Sequence, residues 1–287
     1  MQKNILITGV SSGIGEDACR KFIQEGWKVM GSVRKLADAD RLSKRLGTSF
    51  LALLFDVQDE NAILSSKNAV ISFCGERGLD GIINNAGYAH PGPMTELATD
   101  ELSKQLNVNV LGVMRITNCF YDLLKVNAIK KEAGRIINIS SISGLFNSPF
   151  VGAYCVSKHA VESLTEIYRR ELYLFDIDVI AIQPGPIKTK IWGKSKGKLD
   201  RFFDSDYGKY LRFADNNINA SEKHAIEVEK VSDLLFKRMR KKTFKTKNII
   251  HKNKLGFNLV RKLVPARLTD KLIWKMLSKK NPKNRPV

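Results

Sequence analysis

The chain has little of what a metal site or a disulfide scaffold needs. Its 287 residues hold four cysteines, Cys19, Cys74, Cys119 and Cys155, scattered without a Cys-x-x-Cys pair, and only four histidines. Neither a zinc centre nor a disulfide framework is expected, and reduced thiols fit an intracellular compartment. No apolar run approaches the ~18 residues of a membrane-spanning helix. The first apolar run, Ile5-Leu6-Ile7, is too short for the core of a signal peptide. These absences predict a cytoplasmic protein, soluble or at most peripheral to a membrane.

Acidic residues are scarce in one place. The formal charge is +19, from 48 Lys and Arg against 29 Asp and Glu. Residues 1–190 hold 22 basic and 20 acidic side chains, residues 191–236 hold 8 of each, and residues 237–287 hold 18 basic side chains against Asp270 alone. A nucleic-acid-binding fold carries its cations on the elements that read the groove or the backbone. A near-neutral body with a basic end therefore argues against nucleic acid as the main partner. It leaves an anionic membrane, an acidic partner or a solvated cover as roles for the tail.

What is present is enough apolar material, 43% of residues, for one large core. Continuous apolar runs predict strands at Asn4 to Thr8, Lys28 to Val33, Phe50 to Asp56, Gly81 to Asn84, Arg135 to Ser140 and Asp178 to Gln183. Such runs suit strands buried on both faces of a parallel sheet. Helical stretches lie between them, at Gly13 to Glu25, Glu60 to Cys74, Asp100 to Val126 and Gly152 to Phe175. The repeated β-α-β order predicts an α/β, doubly wound parallel sheet of the Rossmann type, three layers with helices on both faces and right-handed crossovers. Beyond residue 190, Lys194 to Lys198 reads as a loop, Ser221 to Met239 as a helix and Thr246 to His251 as a last strand. At the end, Leu268, Leu272, Ile273, Met276 and Leu277 recur at helical spacing, with Lys271, Lys275 and Lys279 elsewhere on the turn and Pro265 near the helix start.

The segment Ile5-Leu-Ile-Thr-Gly-Val-Ser-Ser-Gly-Ile-Gly15 runs from a strand through a glycine-bearing turn into a helix. Gly9, Gly13 and Gly15 let the backbone turn tightly and approach a pyrophosphate, and the helix N-terminus offers free N–H groups. Ser11, Ser12 and Ile14 complete this candidate dinucleotide loop.

Its Thr-Gly-x3-Gly-x-Gly spacing resembles that of the short-chain dehydrogenase/reductase family, and further motifs of that family follow in unbroken order over residues 3 to 190. Asp56-Val57 closes the third strand, Asn84-Asn85-Ala86-Gly87 the fourth, and Asn109 lies in Asn-Val-Asn-Val-Leu-Gly. Ser141 follows the fifth strand, Tyr154-Cys-Val-Ser-Lys158 supplies Tyr-x3-Lys, and Pro184-Gly185 precedes Ile187 and Thr189. A second Tyr-x3-Lys, Tyr121 and Lys125, has no serine at the family's spacing before it and reads as incidental. The motifs look most like the steroid and retinoid dehydrogenase branch.

The resemblance implies a catalytic set of Asn109, Ser141, Tyr154 and Lys158. Hydride transfer at a carbonyl carbon needs a proton moved at its oxygen. Tyr154 is the expected acid or base, with the Lys158 ammonium one helical turn on, placed to lower the phenol pKa and to reach nicotinamide-ribose hydroxyls. Ser141 is implied to orient the substrate oxygen, and Asn109 to hold a water that relays protons from Lys158. The implied cofactor residues are Gly9, Ser11, Ser12, Gly13, Ile14, Gly15, Arg34, Asp56, Val57, Asn85, Ala86, Gly87, Tyr154, Lys158, Pro184, Gly185, Ile187 and Thr189. Strand 2 ends in Val33, then Arg34 and Lys35, where an NAD enzyme places a carboxylate for the ribose 2′-hydroxyl. A cation there suits a 2′-phosphate and predicts NADP(H) over NAD(H).

The expected organisation is one dinucleotide-binding catalytic domain over 1–252, with a substrate loop at about 190–220 and a basic amphipathic extension over 253–287. Leu145, Phe146, Phe150, Trp192, Phe202 and Phe203 flank the site in sequence, as walls of a lipophilic pocket or as core and interface. A steroid-, retinoid- or fatty-chain-like ketone or secondary alcohol is the expected substrate, and a homodimer or homotetramer through the two long helices the implied assembly. For the tail, peripheral contact with an anionic membrane stands beside packing of the apolar stripe on its own domain. The competing classes are a cofactor-binding regulatory protein on the same fold, and an RNA-binding or anionic-surface role for the tail.

Overall fold

Every strand of the sheet is parallel to its neighbours, in the order β3-β2-β1-β4-β5-β6-β7. The computed structural model describes residues 2–129, 134–189, 197–212, 225–241 and 245–278. In chain order these form β1 (Asn4–Ile7), α1 (Gly13–Gln24), β2 (Lys28–Val33), α2 (Leu36–Leu46), β3 (Phe50–Leu54), α3 (Glu60–Ser65), α4 (Lys67–Cys74), β4 (Gly81–Asn84), α5 (Thr99–Leu106) and α6 (Gly112–Ile129). Then come β5 (Arg135–Ile139), α7 (Gly152–Glu171), β6 (Asp178–Pro184), α8 (Val228–Arg240), β7 (Lys247–Ile250), α9 (Lys254–Leu263) and α10 (Ala266–Ser278).

Successive side chains on a strand point to opposite faces, so each buried strand feeds two cores. Ile5, Ile7, Ile83, Ile137 and Ile180 pack with Phe22 of α1, Leu42 of α2 and Leu235 of α8. Their neighbours Leu6, Ile82, Ile136 and Val179 pack on the other face with Val70 of α4, Phe120 of α6 and Tyr168 of α7. This gives the three expected layers. Adjacent β1 and β4 mark where the strand order reverses, and the site lies at the C-terminal ends of the strands there.

Several elements differ from the sequence expectation for local reasons. The helix expected over Glu60 to Cys74 breaks at Ser66, whose hydroxyl donates to the Ile63 carbonyl at 2.7 Å. The helix expected over Asp100 to Val126 widens into a π-turn at Asn107–Leu111. α8 begins at Val228 because Ile226 is held extended, its N–H donating to Pro186 O at 2.9 Å and its carbonyl accepting from Lys188 at 2.9 Å. α2 and α9 have no sequence counterpart, since both bury too little to show a core stripe: α2 buries only Ala39 and Leu42, and no residue of α9 is fully buried. Trp192, most of the Lys194 to Lys198 loop and the Ser221 helix start lie outside the described residues. Among the described residues, no helix is long and apolar enough to cross a membrane, and no cluster of His, Cys, Asp and Glu is arranged to hold a metal.

Candidate active site

Each strand of the central sheet delivers a motif as it ends. β1 runs into Gly9, β2 into Arg34, β4 into Asn85, β5 into Ser141 and β6 into Gly185. Together these ends border a cleft of about 660 Å³. Of the residues expected from sequence, Gly9, Ser11, Ser12, Gly13, Ile14, Arg34, Asp56, Val57, Asn85, Ala86, Gly87, Ser141, Tyr154, Lys158, Pro184, Gly185, Ile187 and Thr189 line it. Gly15 and Asn109 stand behind the lining.

Close packing explains the glycines. Gly9 adopts φ +69°, and a Cβ there would meet Ala86 Cα at 2.8 Å. Gly15 backs directly onto Gly9: a Cβ would sit 2.5 Å from Gly9 O. Asn85 braces the same loop, its amide donating to Thr8 O at 2.9 Å and Gly9 O at 3.0 Å. Thr8 Oγ1 accepts in return from the Asn85 and Ala86 N–H groups at 3.0 and 2.9 Å. From outside, Arg41 donates to Ser11 O at 2.8 Å and pairs with Glu16 at 3.0 Å.

Ser12 begins α1 in an extended conformation without a side-chain cap, so the helix's first N–H groups are left to another acceptor. A 12-residue helix with an open positive end, facing a cradle too tight for any Cβ, fits a pyrophosphate. At the end of β2, Arg34 is largely exposed and lies 3.5 Å from Asp56 Oδ2.

At the other end of the cleft, Ser141 caps a short turn, accepting from Ser143 N–H at 3.1 Å, and hydrogen-bonds the Tyr154 hydroxyl. Lys158 Nζ donates to Ile139 O at 2.7 Å and lies 5.7 Å from the Tyr154 ring centroid. Burial pushes the Tyr154 phenol up to about 12, the Ser141 bond lowering it only in part. The expected lowering of the phenol by Lys158 is not the dominant effect here. Burial also pulls Lys158 down to about 8, against the raising influence of Glu162 one turn further along α7. The resulting pair is a neutral phenol beside an ammonium that gives up its proton within reach of neutrality.

Asn109 occupies the π-turn and is spent on positioning. Its amide donates to Tyr88 O and to Ser157 Oγ, both at 3.0 Å, and accepts from Tyr88 N–H at 3.1 Å. It thus fixes the loop after β4 against α7, and a π-bulge is a recurrent local device for such a residue. The incidental pair behaves as expected: Lys125 stacks over Tyr121 and Phe175, none of them in the cleft lining.

Of the apolar candidates, Phe150 and Phe202 are core residues, and Phe203 packs against them together with Leu199, Leu211 and Tyr207. Phe146 packs on Phe257 of α9 at 6.3 Å. Neither they nor Leu145 line the cleft, so sequence proximity to Ser141 and Tyr154 did not make them pocket walls. The lining instead includes Tyr88, Val108, Ile142 and Lys198, which carry no motif and become neighbours only through the fold. Arg201 pairs with Glu101 at 2.7 Å and ties the segment around Lys198 to the start of α5.

A glycine cradle at a helix N-terminus and a Ser-Tyr-Lys cluster in one cleft, at the reversal point of a parallel sheet, define a nicotinamide-dependent oxidoreductase. Known proteins agree. A profile described as short chain dehydrogenase matches residues 3–200. The NADPH-dependent 3-dehydrocapnine reductase of Ornithobacterium rhinotracheale is 37% identical over 274 residues, 96% of this chain and 97% of that protein. Retinol dehydrogenase 16 of Mus musculus is 31% identical over 195 residues, 68% of this chain and 60% of that one. Among solved structures, ElxO with NADP bound superposes with a TM-score of 0.71 at 26% identity, covering 89% of this chain and 100% of that one. The chain belongs to the short-chain dehydrogenase/reductase family, and acts on alcohol or carbonyl groups with a nicotinamide cofactor.

Proposed function

We propose that the protein is an NADP(H)-dependent reductase of a lipophilic ketone, steroid-, retinoid- or fatty-chain-like, with Asn109, Ser141, Tyr154 and Lys158 as its working residues. The observation that carries this reading is the half-buried Tyr154, its hydroxyl held by Ser141 inside the cleft. A phenol with a pKa of about 12 is an acid at neutral pH, which suits reduction: the ketone oxygen must gain a proton as its carbon gains hydride. Bound in the glycine cradle, the nicotinamide cofactor supplies the hydride. Ser141 orients the oxygen, Tyr154 protonates it, and Lys158 stabilises the phenolate left behind. Asn109 acts as a positioning residue through Tyr88 and Ser157. The reductase relative named for 3-dehydrocapnine supports the direction, and the retinol dehydrogenase relative supports a lipophilic substrate. Residues 1–252 form the catalytic domain in this reading, with the substrate loop at about 190–220 and 253–287 as an extension. Exposed Leu111, Met114, Val156 and Ile167 support a homo-oligomer through the two long helical segments, and four buried free cysteines support a cytoplasmic site. The decisive test follows NADPH absorbance over a panel of lipophilic ketones that includes 3-dehydrocapnine. Turnover of at least one is expected, and none across the panel overturns the reading.

Two predictions arise here. Reduction should weaken as pH rises through about 8, because Lys158 then loses the charge that stabilises the phenolate, while Tyr154 stays protonated. Initial rates at saturating NADPH should show kcat/KM falling about tenfold per pH unit on the alkaline side; a profile flat to about pH 10 removes Lys158 from the mechanism. Arg34 reaches the ribose end of the cleft beside Asp56 and is assigned the 2′-phosphate. Arg34→Ala should raise KM for NADPH about 10- to 100-fold and leave KM for NADH within about twofold, the loss of one charge-assisted contact. An unchanged NADPH-to-NADH ratio rejects the assignment.

A further inference from the structure

The two C-terminal helices carry two apolar faces each, and the body of the protein covers only one. On α9 the inner residue is Phe257, whose ring meets Phe146 at 6.3 Å and His251 at 5.6 Å. On α10 the inner residues are Trp274, edge-on to Tyr210 at 5.3 Å, and Leu277, both packed on the Phe150–Phe202 cluster. At ~100° per residue these side chains lie roughly 140–160° round their helices from a second stripe. That outer stripe is Leu255, Leu259 and Leu263 on α9 and Leu268, Leu272 and Met276 on α10, each 46% to 86% exposed. Each triplet has i, i+4, i+8 spacing and spans an arc of only about 80°. Lysines flank both triplets: Lys262 on α9, Lys271 and Lys275 on α10, with Asp270 the only acidic residue after Asp233.

We propose that the outer face of α9 and α10 docks on an anionic lipid bilayer. Leucines interleaved with lysines on two short helices match the headgroup boundary, where apolar side chains enter the acyl region and ammonium groups stay with the phosphates. A second copy of the same face would set lysine against lysine. The docking is independent of the reaction assigned above. One consequence does rest on that reading: Phe146, against which α9 packs, follows the cleft residue Ser143 by three positions, so docking brings that end of the cleft toward the lipid surface and a lipophilic ketone need not cross bulk water.

Co-sedimentation of the full chain with vesicles needs no substrate and so reads the docking alone. Phosphatidylcholine vesicles containing about one-third phosphatidylglycerol should bind at least ~100-fold more tightly than pure phosphatidylcholine, with binding weakened by salt. The double variant Leu259→Glu with Leu272→Glu, both sites being exposed and outside the cleft lining, should lose at least about tenfold of that affinity while keeping the wild-type melting temperature with NADPH. Lys271→Gln with Lys275→Gln should lose the preference for anionic lipid and retain the weak binding to phosphatidylcholine. Failure to bind anionic vesicles at low salt, equal binding by the Glu variant, or a fall in its sedimentation coefficient, which would mark the stripe as a contact between copies, overturns the proposal.

Discussion

Tyr154→Phe is expected to lower kcat for ketone reduction by about 10²–10⁴ while leaving the dissociation constant for NADPH within about twofold, the loss typical of a removed general acid. The substitution keeps the half-buried ring and deletes only the hydroxyl that Ser141 holds. No other acid of the cluster is placed to replace it, because the Ser141 hydroxyl donates to Pro184 O at 3.5 Å and Lys158 donates to Ile139 O at 2.7 Å. Lys158 is also the group that fixes α7 under the cleft, so its removal mixes chemistry with structure. The Tyr154 variant does not, which makes it the cleaner measurement. Fluorescence titration with NADPH and stopped-flow turnover separate the two quantities. A variant retaining more than about a tenth of the rate would show that the proton comes from elsewhere.

The pKa directions show an effect of the fold on the site that no motif states. A Tyr-x3-Lys spacing predicts two side chains on one helix face, and from that alone a lowered phenol follows. In the folded chain, burial acts on both members and acts oppositely, raising the acid Tyr154 and lowering the cation Lys158. Desolvation depends on what surrounds a group, which spacing does not encode.

The same distinction separates what was legible in the sequence from what was not. Strands β1, β4, β5 and β6 read correctly because burial on both faces leaves an unbroken apolar run, and each motif follows such a run by a residue or two. The glycine loop, Asn85, Ser141, Tyr154 and Lys158 therefore follow from motif order to one cleft, which they line in the folded chain. Arg41 was not, since its partners Ser11 and Glu16 lie about 25 to 30 residues away and nothing in an amphipathic α2 announces them. Phe150 and Phe202 mark the limit: nearness along the chain to Ser141 and Tyr154 leaves pocket wall and core equally open, and the fold spends them on a core of their own. The leucines of α9 face outward, where periodicity carries no core signal, so nothing in the sequence marks that helix.

Gly15→Ala tests whether the cofactor cradle is a matter of shape. Gly15 is in the first turn of α1 and needs no positive φ, so the only thing a methyl group requires there is space. There is none: its Cβ would lie 2.5 Å from Gly9 O and 2.6 Å from Asn85 Nδ2. Gly9 cannot retreat, because its own Cα faces Ala86 and its N–H is held by Ser32 Oγ at 3.0 Å. The helix must therefore move off the loop or Asn85 must release Thr8 and Gly9. Overpacking of this kind costs about 1–3 kcal/mol, and each surrendered hydrogen bond about 0.5–1.5 kcal/mol more. An open cradle no longer presents the α1 N–H groups to a pyrophosphate, so NADPH affinity should fall by about 100-fold or more. Gly26→Ala supplies the control, having φ +80° but no atom within 4 Å of its Cβ. It should cost about 1 kcal/mol through backbone strain and leave NADPH affinity unchanged. If both variants lose affinity alike, the loss follows general destabilisation; if only Gly15→Ala does, the approach of α1 to the loop is what holds the dinucleotide.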